Sequence, residues 1–412
     1  MKKNLVIVGA GFAGINTYQS LPRSVKRACN ITIIDKHNYF LFTPLMHEVA
    51  ACALDSHNVV EPFENIVGSE VTLLQDEVTA FDHSAHVVRL KNNEDVSYDI
   101  LVLALGSQTN FFNTQGAQEK SFILKDLHDT QVLRDHFINR FHEASLMESA
   151  EERKKHLHTV IVGGGPTGVE LAGEASELFF HTFRKQYEGA FNTNEDARIT
   201  LVNASSSLLQ PFSPGSQYYA QRTLKDKGVE VMNNVRVTEI NEEGIVTADG
   251  EIISTSTIVW AAGVMPQNID CPPAVEKESN RIKVTKTLQL EDHDHVFVLG
   301  DMALAETEDG RGYPMLAQVA KQQGIQTAQN IKRLLNGEEL KEFNFFEKGK
   351  LVSLGQWHAI AEIGSFHIHG PLAWLMWRAI YLVTFNSWNK RFKISMNWIS
   401  NIFGQRDTTK LD

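Results

Sequence analysis

Short apolar runs, most of them closed by glycine or an acid, punctuate the first three quarters of the chain. Leu5-Val-Ile-Val8, Ile31-Thr-Ile-Ile34, Ile100-Leu-Val-Leu103, Thr159-Val-Ile-Val162, Ile199-Thr-Leu-Val202, Thr257-Ile-Val-Trp260 and Val296-Phe-Val-Leu299 are rich in β-branched side chains and show no polar alternation. Runs of that length and character predict strands buried on both faces, as in a parallel sheet. Small-residue and mixed stretches between them predict helices. Strands alternating with helices predict an α/β chain.

Two of the runs open near copies of one unit. Leu5-Val-Ile-Val-Gly-Ala-Gly-Phe-Ala-Gly14 and Thr159-Val-Ile-Val-Gly-Gly-Gly-Pro-Thr-Gly168 each run from strand through G-x-G-x-x-G into a helical stretch, Ile15 to Leu21 and Val169 to Leu178. In that context the first glycine makes a tight turn, the second lets backbone approach a pyrophosphate, and the third lets helix pack on strand. The helix N-terminus then offers unpaired N–H groups to the anion. Two dinucleotide sites are expected.

The first unit completes itself with Asp35, which closes a strand at about the 20-residue distance where an acid bonds a ribose hydroxyl. The second unit reaches its counterpart strand later, after a helical excursion from Phe180 to Ala197, and ends in Asn203. Asparagine can bond a ribose hydroxyl but repels a 2′-phosphate less than a carboxylate does. Ser205, Ser206 and Ser207 follow, so the choice between NADH and NADPH stays open. Ala104-Leu-Gly106 and Ala261-Ala-Gly263 are matching strand-end turns. Gly300-Asp301 closes a further strand, where ligands of open α/β sheets bind.

Composition narrows the class. The chain has 412 residues, with 39 Lys and Arg against 50 Asp and Glu, a net charge of −11. An acidic chain is a poor partner for nucleic acid. A mean hydropathy of −0.22 excludes a polytopic membrane protein. Cys29, Cys52 and Cys271 are too scattered for a disulfide framework or a metal site, and suit a reducing compartment. The apolar run behind Met1-Lys2-Lys3 is too short for a secretory signal. A cytoplasmic protein, or one on the cytoplasmic side of a membrane, is expected.

The order of glycine loop, acid, first A-x-G strand, second glycine loop, second A-x-G strand and Gly-Asp resembles the two-dinucleotide-binding-domain flavoproteins. The likeness covers residues 1 to 330. It implies FAD at the first loop and NADH or NADPH at the second. Gly9, Gly11 and Gly14 would hold the FAD pyrophosphate, Asp35 the adenosine ribose and Asp301 the ribityl chain. Gly163, Gly165 and Gly168 would hold the NAD(P)H pyrophosphate. Phe12, Ala13, Lys36, Pro44, Leu45, Val78, Ala104, Gly106, Asn203, Gly263, Gly300, Ala317 and Gln318 are further cofactor contacts that the resemblance implies.

Disulfide reductases and sulfide:quinone reductases of this group need a cysteine pair beside the flavin, and no suitable pair exists here. Tyr313-Pro-Met-Leu-Ala-Gln-Val-Ala-Lys-Gln-Gln-Gly324 instead resembles the A-Q-x-A-x-Q signature of type II NADH:quinone oxidoreductases, in Ala317, Gln318, Ala320 and Gln322. Phe42-Thr-Pro-Leu-Met-His-Glu-Val-Ala50 resembles the same family. Gln318 and Gln322 are four apart and share a helix face. A helix opened by Ala317 would turn its positive end to the isoalloxazine, and an amide suits a quinone carbonyl. Glu170 stands where the wider group keeps an acid near the nicotinamide. Glu174 is a weaker candidate on the same face.

After residue 345 the pattern changes. Pro371–Phe385 is apolar apart from Arg378, but shorter than the roughly 20 residues of a spanning helix. Four of six tryptophans follow residue 370: Trp374, Trp377, Trp388 and Trp398. So do Arg378, Lys390, Arg391, Lys393, Arg406 and Lys410, against Asp407 and Asp412. Apolar faces, tryptophans and cations predict an interfacial helix pair on an anionic membrane, and the resemblance implies the same. A helix pair packed on the body or on a second copy is the alternative.

The expected fold is α/β with two Rossmann-like domains and a C-terminal amphipathic helical region. An FAD domain is drawn at 1–113 and 281–345, an NAD(P)H domain at 114–280, and a membrane or dimer region at 346–412. The expected activity is FAD-dependent NADH:quinone oxidoreduction without proton pumping. It is placed at the cytoplasmic face of the cell membrane, in a homodimer, with quinone and the anionic membrane surface as partners and no metal. A soluble NAD(P)H-dependent flavoprotein with another acceptor is one rival. An NADH-responsive signalling flavoprotein similar to apoptosis-inducing factor is the other. Membrane partition and quinone turnover separate the readings.

Overall fold

The computed structural model describes residues 2–409 except Glu308 and Asn386, and only the backbone of Phe403. Lys410 and Asp412 of the C-terminal charge pattern lie outside the described residues. The chain forms two compact units, each from three stretches. The first takes the chain up to Leu41, then Val60–Gln108 and Val264–Glu347; the second takes Phe42–Val59, Thr109–Gly263 and the chain from Lys348 onward.

The elements that carry the argument are, in chain order, β1 (Lys3–Val8), α1 (Phe12–Ser20), β2 (Cys29–Asp35), α2 (Met46–Ala50), β3 (Thr72–Gln75), β4 (Ile100–Leu103), β5 (Phe122–Ile123), β6 (His158–Val162), α3 (Pro166–Glu177), β7 (Arg198–Asn203), β8 (Val229–Asn233) and β9 (Thr257–Trp260). They continue with β10 (Gln289–Leu290), β11 (His293–Val298), α4 (Ala317–Asn336), β12 (Lys350–Ser353), β13 (Ala359–Ile363), β14 (Phe366–His369), α5 (Pro371–Thr384) and α6 (Trp388–Phe403).

In the first unit the sheet order is β10-β11-β4-β1-β2-β3, parallel except for the β10 edge. Leu5, Ile7 and Val8 have no exposed surface, because both faces of β1 are covered. Burying each such side chain contributes about 1.5–3 kcal/mol. Helices α1 and α4 pack closely, since a Cβ at Gly324 would collide with the carbonyl oxygen of Ala13.

The second unit repeats the plan with a parallel sheet ordered β5-β9-β6-β7-β8. The excursion after α3 is a π-helical turn, Leu178–Phe183, followed by Arg184–Gln186. Its aromatic side chains explain the insertion: Phe179 and Phe183 pack on Phe141, with centroids 4.7 and 4.3 Å away.

The C-terminal region differs from expectation in one respect. It opens with an antiparallel meander, β12-β13-β14, before its two helices. The meander is hard to see in sequence because Ala359–Glu362 is buried without alternation. The unit boundaries also differ from 113/114, 280/281 and 345/346. Residues 42–59 join the second unit because α6 and the chain after it hold them. Trp398 Nε1 donates to Glu48 (2.7 Å), Asn58 to Asn397 (2.8 Å), and Asn401 to the Ala53 carbonyl (2.5 Å). Among the described residues no helix is long and apolar enough to cross a membrane.

Candidate functional site

The two glycine loops meet the same steric demands. Gly9 has φ +88°, and a Cβ there would collide with the carbonyl oxygen of Ala104. Gly163 has φ +126° and would collide with that of Ala261. A Cβ at Gly14 would strike the Gly9 carbonyl oxygen, and one at Gly168 that of Gly163. Around Gly11 and Gly165 lies open space. Neither α1 nor α3 has a side-chain cap at its N-terminus, so first-turn N–H groups remain for an anion.

Asp35 ends β2 beside the first loop. Its Oδ2 accepts the Ala10 N–H (2.7 Å) and its Oδ1 the His37 N–H (2.9 Å), which fixes the loop and leaves lone pairs for a hydroxyl. Phe12 and Ala13 open α1, Lys36 follows β2, Ala104 and Gly106 follow β4, and Val78 starts the strand Val78–Asp82. Asp301 follows β11 and accepts the Ser107 hydroxyl at 2.6 Å. Gly300 donates its N–H to Gln323 Oε1 at 2.7 Å, and the Gln323 amide nitrogen is a buried donor without a hydrogen-bond partner. Open space at Gly11, an uncapped helix and an anchored acid fit the adenosine diphosphate part of FAD.

Ala317 opens α4, again without a side-chain cap. Gln318 is half-buried in its first turn. Gln322 is occupied otherwise: its amide donates to the Phe346 carbonyl (2.8 Å) and accepts the Phe346 N–H (3.0 Å), so it clamps backbone.

Pro44 and Leu45 sit in the turn Thr43–Leu45 of the second unit, where Leu45 has no exposed surface. Gly263 also belongs to that unit. Asn203, at the end of β7, is buried, and its amide is already engaged. Its Nδ2 donates to the carbonyls of Ser205 and Ser207 (both 3.0 Å) and to Asn233 Oδ1 (2.9 Å). The side chain also fills the space beside Gly164. Asn203 shapes the loop with the donors it has.

Glu170 lies in the first turns of α3 and is buried. Its Oε1 accepts the Ser353 N–H at 3.1 Å, and its Oε2 is 3.6 Å from His47 Nδ1. Burial pushes its carboxyl up to about 8, against the lowering effect of the Ser353 bond, with Glu48 and Glu174 adding to the rise. His47 is pushed down to about 4 by burial. Glu174 is held below its ordinary range by Arg406 despite burial, with Arg406 Nη2 at 2.6 Å from its Oε2.

Four members of this buried cluster carried no site assignment in the sequence: His47, Glu48, Arg378 and Arg406. Arg378 lies between the rings of Trp374 and Trp398, 4.2 and 4.3 Å from their centroids. The signal was a charged residue inside an apolar run, visible at Glu48 in Phe42–Leu54 and at Arg378 in Pro371–Phe385.

On the outer faces, Trp388, Phe392, Met396 and Ile399 are exposed on one side of α6, and Leu372, Leu375, Ile380 and Val383 are exposed on α5.

Residues 3–324 match the family described as pyridine nucleotide-disulphide oxidoreductase, and residues 348–407 match the NDH2 C-terminal domain. A type II NADH:quinone oxidoreductase of Staphylococcus aureus is 31% identical over 92% of this chain and 94% of its own length. A probable NADH dehydrogenase of Dictyostelium discoideum is 30% identical over 98% of this chain and 90% of its own. The structure of NDH2 from Plasmodium falciparum in complex with NADH has a TM-score of 0.92 and 20% identity, covering 100% of both chains.

Proposed function

The chain belongs to the pyridine nucleotide-disulphide oxidoreductase family and, within it, to the type II NADH:quinone oxidoreductases; from that premise we propose how its residues divide the work. The activity is NADH:quinone oxidoreduction with FAD as cofactor. When bound, FAD supplies the chemistry, taking a hydride from NADH and passing two electrons to quinone. The observation that carries the site assignment is the pair of glycine loops with identical steric demands, one in each unit.

Gly9, Gly11, the open end of α1 and Asp35 hold the adenosine diphosphate half of FAD, and Asp301 takes a hydroxyl of the ribityl chain. Gly163, Gly165 and the open end of α3 hold the NADH pyrophosphate. Gln318, in the first turn of α4, presents its amide to a quinone carbonyl. Overall, NADH, one proton and quinone give NAD⁺ and quinol, so one proton comes from the surroundings. Glu170 is buried and still protonated at neutral pH, and we assign that proton to it. The Ser353 N–H and His47 orient its carboxyl.

The exposed apolar side chains of α5 and α6, with Lys390, Arg391 and Lys393, attach the protein to the anionic cytoplasmic face of the membrane as a peripheral enzyme. That face is also where a lipid-soluble quinone arrives. Assembly as a homodimer is part of the same reading, and light scattering in detergent tests it.

The test of the reaction is anaerobic. NADH, and separately NADPH, is added to the purified flavoprotein, followed by a quinone analogue. Rapid bleaching by NADH and rapid recovery on quinone are expected. Recovery only on admitting oxygen would turn the reading to another acceptor.

A further inference from the structure

We propose that Glu48 of α2, kept ionised by Arg378 of α5, sets how tightly Glu170 holds its proton, all three lying in the second unit. The argument begins with a count of buried charge. Glu48, Glu170 and Glu174 are all buried, and Glu48 has no exposed surface at all. Facing them are two guanidiniums, Arg378 and Arg406, and His47, which burial keeps neutral. Tyr381, also facing the group, stays neutral because burial pushes its hydroxyl up. Three carboxylates against two cations leave one negative charge uncompensated, and an uncompensated buried charge is very costly. The cluster therefore retains one proton.

Geometry says where that proton rests. Glu174 and Arg406 form a closed pair at 2.6 Å. Glu48 accepts from Trp398 Nε1 at 2.7 Å through Oε2, and its Oε1 lies 3.7 Å from Arg378 Nη2 without a hydrogen-bond partner. Arg378 itself has two unpartnered buried donors, Nε and Nη1. Burial raises the Glu48 carboxyl to about 7, but the cation and the N–H both favour its ionised form, so it gives up its proton before Glu170 does. The negative charge on Glu48 in turn tightens Glu170's hold. Both partners of Glu48 come from the C-terminal helices, Arg378 from α5 and Trp398 from α6. The proton affinity of Glu170 thus depends on those helices being seated.

The inference rests on the reading of Glu170 as a proton-carrying group, and the experiment separates the two. Infrared difference spectra of the resting holoenzyme are recorded across pH. The carbonyl stretch of the protonated acid is assigned by its loss in Glu170→Gln, and its midpoint is measured without turnover. Glu48→Gln moves the midpoint down by about one pH unit, and Arg378→Gln, which lets Glu48 keep its own proton, moves it down as well. Arg378→Lys restores the original value. A purely structural role moves neither midpoint, or gives an Arg378→Gln shift that Arg378→Lys does not reverse, and either result overturns the proposal. Where Arg378→Gln fails to fold, Trp398→Phe replaces it. Losing that N–H lets Glu48 keep its own proton, so the Glu170 midpoint falls; no shift overturns the proposal. Turnover is then measured separately. If Glu170→Gln keeps full quinone turnover while the midpoints shift as stated, the catalytic reading fails and the coupling stands.

Discussion

Arg406 donates to Glu174 across 232 positions of sequence, with Nη2 at 2.6 Å from Oε2, while Nη1 reaches the carbonyls of Ala51 (2.8 Å) and Glu174 (3.1 Å). One guanidinium thus joins the residue after α2, the helix α3 and the chain beyond α6. Arg406→Met leaves Glu174 buried without a partner, and a loss of about 3–5 kcal/mol in denaturant unfolding is expected. Arg406→Met with Glu174→Leu recovers most of it. A single-variant loss below about 1 kcal/mol, the range of an exposed pair, would contradict the pairing.

The glycine loops predict a split between binding and folding. Gly165→Ala meets open space, so flavin content and stability stay near the parent while the KM for NADH rises. Gly168→Ala drives a methyl into the Gly163 carbonyl and lowers the yield of folded protein. The same contrast holds at Gly11 and Gly14, with flavin content as the readout. Equal effects within either pair would contradict the assignment.

Asn203→Asp does not improve the nucleotide site. It replaces an NH₂ that donates to three oxygens with a carboxylate that faces them. A loss of about 2–4 kcal/mol and weaker NADH binding are expected. Unfolding curves and an NADH titration measure both; tighter NADH binding would show that Asn203 meets the ribose after all.

Stability falls as the pH rises between 6.5 and 8. Glu170's carboxyl is raised from 4.5 to about 8 in the folded protein, so its contribution is complete below 4.5 and is lost as the pH passes through 8. His47, lowered from 6.5 to about 4, works in the opposite sense, and its contribution is already complete above 6.5. The slope due to Glu170 is at most about 1.4 kcal/mol per pH unit. Urea unfolding of parent and Glu170→Gln across this window checks it: the variant's curve is flatter. Identical slopes remove Glu170 as the cause.

Gln318 and Gln322 separate by acceptor. Gln318→Ala lowers quinone turnover but leaves reduction of ferricyanide by NADH intact. Gln322→Ala releases the backbone at Phe346 and acts through stability. Unchanged quinone turnover in Gln318→Ala removes its assigned role.

The strand, turn and helix around each glycine loop were legible because neighbours in sequence dictate them: apolar runs, glycine spacing and small residues are local signals. The parallel sheets followed from those runs. The engagement of Asn203 was not legible because its environment is made by Ser205, Ser207 and Asn233, and sequence spacing alone does not say that three acceptors converge there. Glu48 and Arg378 were illegible for a stronger reason. A charge inside an apolar run implies a buried partner, but nothing local says which one. The association of residues 42–59 with the C-terminal helices is of the same kind, since its bonds join positions that no periodicity connects.

The clasp between Trp398 and Glu48 spans 350 positions, and this bears on how the protein is made. At a synthesis rate of roughly 5–20 residues per second, the earlier partner waits about 20–70 s for the later one. During that interval the apolar stretch around Glu48 has left the ribosome but cannot complete its native packing. A stalled or prematurely terminated chain lacking α6 would keep this stretch uncovered. It would then be a target for chaperones and proteases even with its first glycine loop and sheet already formed.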